Sequence, residues 1–151
     1  KAQSLRADLD TDQFADDLAD AIAALGALEG CTGKIGVMGF CLGGNFTYLS
    51  GTRHKIKAAV SYYGVQIDQH LDEAGNLNCP ILMHFAGDDP HVPAAAVEAI
   101  QARMGTWENV DIHVYPGAEH GFNRYGYPPY NEAAASQARA RTLRHFRDLL
   151  S

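Results

Sequence analysis

The sequence predicts an α/β fold in a single domain, residues 1–151, with a mainly parallel sheet of about four strands flanked by helices. Three observations predict it. Apolar runs of strand length alternate with longer segments of helical period. One of those runs, Ile35 to Phe40, passes straight through Gly39-x-Cys41-x-Gly43 into a helical segment, a strand–nucleophile–helix pattern with cysteine in the usual place of serine. A hydrophobic content of 46% with 20% charged residues belongs to a globular chain large enough to bury a real core.

Taken in order, Lys1 to Thr11 is polar and unpatterned. Asp12 to Leu25 reads as a helix, with Phe14, Leu18, Ile22 and Leu25 on one stripe and the acidic residues crowded toward the N-terminal half, where the helix dipole favours them. Gly26 and Gly30 end it, and Cys31 falls in the connecting loop. The strand ending at Phe40 follows, then a helix to about Ser50 closed by Gly51. Ile56 to Gly64 is the second strand, Asp68 to Asn78 a polar connection, and Cys79 to Gly87 the third strand, with Pro80 tolerated at its start. Asp88 to Pro93 is a strand-end loop, and Pro93 opens the helix Ala94 to Met104. Val110 to Tyr115 is a fourth strand, Pro116 to Tyr130 a long loop rich in Gly, Pro and Tyr, and Asn131 to Leu150 a last helix. Its inner face is expected to carry Ala135, Ala138, Leu143, Phe146 and Leu150. Strands alternating with helices give the α/β class.

The composition excludes several functions. A net charge of -6 argues against nucleic acid and against an anionic membrane surface as partners. No apolar run reaches membrane-spanning length. Three cysteines do not make a disulfide framework and fit a reducing, cytoplasmic setting. Gly36, Gly39, Gly43 and Gly44 match neither G-x-G-x-x-G nor a P-loop, so nucleotide binding by this turn is a weak reading.

The turn at Cys41 has a chemical rationale. A nucleophile between strand and helix sits in a strained backbone conformation, and its neighbours two residues away are expected to pack so close that only small residues fit. The following helix aims N–H groups and its positive dipole end at the sulfur, which favours thiolate and stabilises an oxyanion. Two further groups fall where parallel sheets place their sites, beyond the carboxyl ends of strands. Asp89 follows the third strand and His120 the fourth, so the chain order is nucleophile, acid, histidine, as in α/β-hydrolases. In that arrangement His120 is the general base, Asp89 fixes its tautomer, and the Leu42 N–H donates to the oxyanion.

Gly39-Phe-Cys-Leu-Gly-Gly44 closely resembles the nucleophile motif of the dienelactone hydrolase (carboxymethylenebutenolidase) family. Ser61-Tyr-Tyr-Gly64, Gly87-Asp-Asp-Pro-His-Val-Pro93 and Ala118-Glu-His-Gly-Phe-Asn-Arg124 resemble its next blocks, in order, over nearly the whole chain. The resemblance implies a catalytic triad of Cys41, Asp89 and His120, with Asp89 preferred to Asp88 because it aligns with the family aspartate before Val-Pro. It implies a carboxylate-binding role for Arg124 and a pocket-lining one for Tyr63. It implies hydrolysis of a small lactone or ester, carboxylate-bearing, through a thiol acyl-enzyme, with no metal or cofactor.

Family members carry a further N-terminal segment that supplies the first strands, a second oxyanion donor, a glutamate near the cysteine and another arginine. This chain resembles the C-terminal portion, a truncated α/β-hydrolase fold. Its alternative function is therefore a catalytically weak or inactive module that self-associates or binds. The strand ending at Phe40 would expose its edge and Ile35, Val37 and Met38, and such an edge pairs readily, so a homodimer is expected.

Overall fold

Burial along the central strands assigns alternate residues to two different layers. The structure, a computed structural model, describes residues 10–151; the polar lead expected over residues 1–11 lies, up to residue 9, outside the described residues. Its elements are α1 (Thr11–Gly26), β1 (Gly36–Phe40), α2 (Leu42–Arg53), β2 (Ala58–Tyr62), a 3-10 segment (Ile67–Asn76), β3 (Ile81–Ala86), α3 (Ala94–Met104), β4 (Val110–Tyr115) and α4 (Glu132–Leu150). The sheet is four-stranded in the order β1-β2-β3-β4, every pairing is parallel, and the register runs Gly39 to Ser61 to Met83 to Ile112 across it.

The period of two in each strand builds the layers. Ala59, Ile81, Met83 and Phe85 face one way, into a core shared with Phe46 and Leu49 of α2 and Val97 and Ile100 of α3. Val60, Tyr62, Leu82 and Ala86 face the other way, onto Ala134, Ala135 and Ala138 of α4. Both faces of β2 and β3 are covered, which is why these strands read as continuous apolar runs rather than alternating ones. Each large apolar side chain fully buried in these layers contributes roughly 1.5–3 kcal/mol.

Local chemistry sets the helix ends. The Asp10 carboxylate caps α1 by accepting from the Asp12 and Gln13 N–H groups, and Asn131 caps α4 by accepting from Ala134 N–H. α1 docks through Phe14, whose ring centre lies 4.1 Å from that of Phe46. Arg53, at the end of α2, joins Glu73 of the 3-10 segment and Asp12 of α1.

Several sequence expectations are corrected. α2 runs through Gly51 to Arg53 instead of closing there. Gly51 is a close-approach residue, since a Cβ on it would stand 3.0 Å from Leu77 and 3.3 Å from the Cys79 sulfur. The connection after β2 is ordered as the 3-10 segment, pinned by Ile67 and Ala74 in the core and by Tyr48 Oη donating to His70 O. Leu143 does not face inward; it is 59% exposed, one step off the stripe carried by Ala135, Ala138 and Thr142. Leu25 is likewise on the outside of α1. At the β1 edge Ile35 is buried, close under the end of α1 at Gly26, and Val37 packs against the core, so only part of the expected apolar edge is open. Met38 and Phe40 are the exposed residues of β1.

Candidate active site

Cys41 sits between β1 and α2 with φ 56° and ψ -119°, a conformation that side chains larger than glycine's seldom adopt. Surrounding hydrogen bonds hold it there. Cys41 N donates to Tyr62 O at 3.0 Å, and Cys41 O accepts from Gly44 N at 3.0 Å and Val65 N at 3.3 Å. The glycines around it differ in what they do. A Cβ on Gly39 would lie 2.0 Å from Gly43 O, and one on Gly44 would lie 2.7 Å from Gly64 Cα. Gly43 has open space where its Cβ would go, so the expectation of a crowded neighbour on both sides holds for Gly39 and transfers from Gly43 to Gly44. These contacts set α2 close against β1 and β2 and leave the cysteine half-exposed at the carboxyl end of the sheet.

Asp89 and His120 arrive from the loops after β3 and β4. Asp89 is buried, and its Oδ1 accepts from His91 N at 2.8 Å and Val92 N at 3.2 Å. Its Oδ2 lies 2.8 Å from His120 Nδ1. Asp88 is exposed, and the carboxylate set against the imidazole is that of Asp89. His120 is also hydrogen-bonded to the Cys41 side chain. With Nδ1 on Asp89, Nε2 is the nitrogen left for the sulfur. Burial lowers the pKa of His120, but the bonds to Asp89 and Cys41 outweigh it and hold the imidazole up at about 9.

Tyr63 is a buried residue at φ 37°, and its ring centre lies 4.8 Å from that of His120. Burial first, and then the charge of Cys41, push its phenol up to about 12, so it stays protonated. Leu42 is the first residue of α2, and at that position its N–H has no intrahelical acceptor. Arg124 is exposed on the loop after β4, with its guanidinium 4.7 Å from the Tyr127 ring centre. Cys41, Tyr63, His120 and Arg124 line one cleft of about 400 Å³.

The same cleft is lined by residues that sequence reasoning did not single out. His91 meets His120 edge-on at 4.7 Å between ring centres, and Glu119, Tyr127 and Pro129 complete the outer wall. The Arg124-Tyr-Gly-Tyr127 sequence was a legible turn signal for that wall; nothing in the sequence marked His91 beyond its nearness to Asp89. Among the described residues, no cluster of three or more His, Cys, Asp or Glu could hold a metal ion. No helix among them is long and apolar enough to cross a membrane.

The family model described as "Dienelactone hydrolase family" matches residues 2–150. The chain belongs to the dienelactone hydrolase family. Carboxymethylenebutenolidase 1 of Cupriavidus pinatubonensis is 30% identical over 143 residues, 95% of this chain and 61% of that protein. The carboxymethylenebutenolidase of Pseudomonas putida is 34% identical over 111 residues, 74% of this chain and 47% of that protein. A dienelactone hydrolase homologue from Klebsiella pneumoniae, known by its crystal structure, superposes with a TM-score of 0.81 at 30% identity, covering 89% of this chain and 60% of that one. The chain thus spans about half to three-fifths of the length of these relatives.

Proposed function

We propose that the protein hydrolyses small lactones or carboxylic esters through a Cys41–His120–Asp89 triad and a thiol acyl-enzyme. The observation that carries this reading is the two-sided engagement of His120, by Asp89 Oδ2 at Nδ1 and by the Cys41 side chain. In the proposed sequence the Cys41 proton rests on His120, leaving a thiolate that faces the imidazolium, and the sulfur attacks the ester carbonyl. The oxyanion of the tetrahedral adduct accepts from the Leu42 N–H at the start of α2. The carbon–oxygen ester bond then breaks, and His120 returns its proton to the leaving oxygen, which in a lactone remains tethered to the acyl group. Water, deprotonated by His120, attacks the thioester, and collapse of that adduct frees the carboxylic acid and restores the thiolate. Arg124 favours substrates with a carboxylate near the reacting carbonyl, and Tyr63 walls the pocket beside the imidazole. Family membership supports the ester or lactone class.

Thiol reactivity tests the assignment of Cys41. Iodoacetamide near neutral pH is expected to label Cys41 far faster than Cys79, whose thiol is buried and pushed up to about 11, and faster than the half-buried loop residue Cys31. Peptide mapping after partial labelling reads the three rates. Equal rates in the folded protein would remove the activated nucleophile. Trapping a mass increase on Cys41 with an activated aryl ester then tests the acyl-enzyme.

A second reading, self-association with weak or no catalysis, is favoured by one observation. β1 lies at a sheet edge and presents Met38 at 47% and Phe40 at 41% exposure. Pairing of this edge with a second copy about a two-fold axis would cover both, in an interface of about 1,200 Å² or more. Sedimentation velocity across a wide concentration range is expected to show a dimer that Met38→Lys weakens. A monomer at every concentration, with an unchanged Met38→Lys profile, would remove the edge as an interface.

A further inference from the structure

The loop after His120 contains a turn whose chemistry is not accounted for by the triad. Tyr127 N donates to Arg124 O at 3.1 Å, closing a four-residue turn, and Gly126 occupies its third position at φ 76°. Only glycine adopts that conformation at little cost, so the Arg-Tyr-Gly-Tyr sequence dictates the turn. Closing it sets residues 124 and 127 side by side, and the Arg124 guanidinium comes to lie 4.7 Å from the Tyr127 ring centre. The ring is itself seated: a Cβ on Gly121, the residue after His120, would stand 3.5 Å from its edge. Among the described residues, no carboxylate forms a salt bridge with Arg124.

We propose that Tyr127 is a positioning residue: its ring seats the Arg124 guanidinium so that the free edge of that guanidinium meets a substrate carboxylate in the Cys41 cleft. An exposed arginine otherwise distributes over many rotamers, and binding a carboxylate must first select one. Stacking on an aromatic face fixes the plane of the guanidinium and leaves its edge N–H groups unspent, which is the arrangement a bidentate carboxylate contact needs. Both side chains line the cleft that holds Cys41 and His120. Tyr127 thereby sets how strongly the site prefers an anionic acyl group to a neutral one. The inference rests on the hydrolase reading for its substrate, but its physical content is a binding preference.

Titration with benzoate and with its neutral isostere benzamide, followed by NMR, tests it without turnover. Wild type is expected to favour benzoate on the order of tenfold, as a charge-assisted bond predicts. The Arg124 Nε–H resonance is expected upfield, under the ring current. Tyr127→Leu should lower the benzoate-to-benzamide preference about two- to fivefold and release the upfield shift, whereas Tyr127→Phe, which keeps the ring face, should retain both. Arg124→Ala should abolish the preference altogether. If Tyr127→Leu leaves the preference and the Arg124 resonance unchanged, or if Tyr127→Phe loses them as Leu does, the inference is overturned. Ester hydrolysis measured on the same samples separates the two readings. A protein that hydrolyses no ester but whose benzoate preference follows Tyr127 overturns the hydrolase reading and upholds this one. One that hydrolyses esters with a preference indifferent to Tyr127 does the reverse.

Discussion

Asp89→Asn is expected to lower ester hydrolysis by about 10³- to 10⁴-fold while leaving the fold intact. The reason lies in how the carboxylate is held. Oδ1 accepts from two backbone N–H groups, those of His91 and Val92, so position 89 must keep an acceptor there. An asparagine satisfies those two donors only by placing its oxygen at Oδ1, and its NH₂ group then faces His120 Nδ1. The imidazole must accept at Nδ1 and carry its hydrogen on Nε2, where it opposes Cys41 instead of receiving its proton. The substitution also removes an influence that raises the His120 pKa, which now stands at about 9. In the proposed mechanism the imidazolium donates to the leaving oxygen, so the alkaline limb of the pH–rate profile is set by that group. It should lie near pH 9 in the wild type and move toward neutrality in Asp89→Asn. Asp88→Asn, at an exposed position, is the control and should retain activity within about threefold. An Asp89→Asn enzyme within tenfold of wild type, with an unmoved alkaline limb, would show that the carboxylate does not set the tautomer.

The sequence made the proposed catalytic constellation legible because each proposed member follows the end of a strand. Strand runs near residues 35–40, 79–87 and 110–115 could be read from apolar content alone, and the parallel sheet brings their carboxyl ends together. Choosing Asp89 over Asp88 needed the resemblance, since spacing could not separate adjacent aspartates; the geometry that sets them apart is the pair of N–H groups bonded to Oδ1. Glycine was the least readable signal. Gly51 looked like a terminator, but α2 continues through it because its missing side chain makes room for Leu77 and Cys79. Leu143 looked like a core residue because helical period alone does not say how wide the buried stripe is; alanines at 134, 135 and 138 bring α4 so close that the stripe is narrow. The turn that brings Arg124 to Tyr127 is marked by Gly126, but the polar network under α4 has no sequence motif, because it depends on side chains from several elements meeting.

That network predicts the acid side of the stability curve. His84, in the middle of β3, is fully buried between the sheet and α4. Its Nδ1 lies 2.9 Å from Tyr115 Oη and its Nε2 3.1 Å from Thr142 Oγ1, which also meets Tyr62 Oη at 2.7 Å. Arg141 donates to Tyr115 Oη, leaving the phenol hydrogen for His84 Nδ1; the ring then carries its own hydrogen on Nε2 and donates it to Thr142. This arrangement has room for a neutral ring alone. Burial chiefly, and then His113, Arg141 and His145, push the His84 pKa down to about 3. A histidine depressed in the fold contributes stability that is complete above its unfolded pKa of about 6.5 and is lost as pH falls below it. The loss from His84 amounts to about 2 kcal/mol by pH 5. His145, also depressed by burial, acts in the same direction. His120 acts oppositely: its pKa is raised, so its contribution is complete below about 6.5 and fades as pH rises through about 9. Stability should therefore peak near pH 6.5, with an acid limb owned mainly by His84. Urea unfolding at intervals from pH 4 to pH 9 maps both limbs. His84→Gln, which keeps hydrogen-bonding capacity but does not titrate, should be less stable at pH 7 and markedly flatter between pH 6.5 and pH 4. His84→Asn serves as a second non-titrating variant should the longer glutamine not fit. Non-titrating variants that keep the full wild-type acid slope would assign that slope to other groups, and the neutral His84 would then have no part in it.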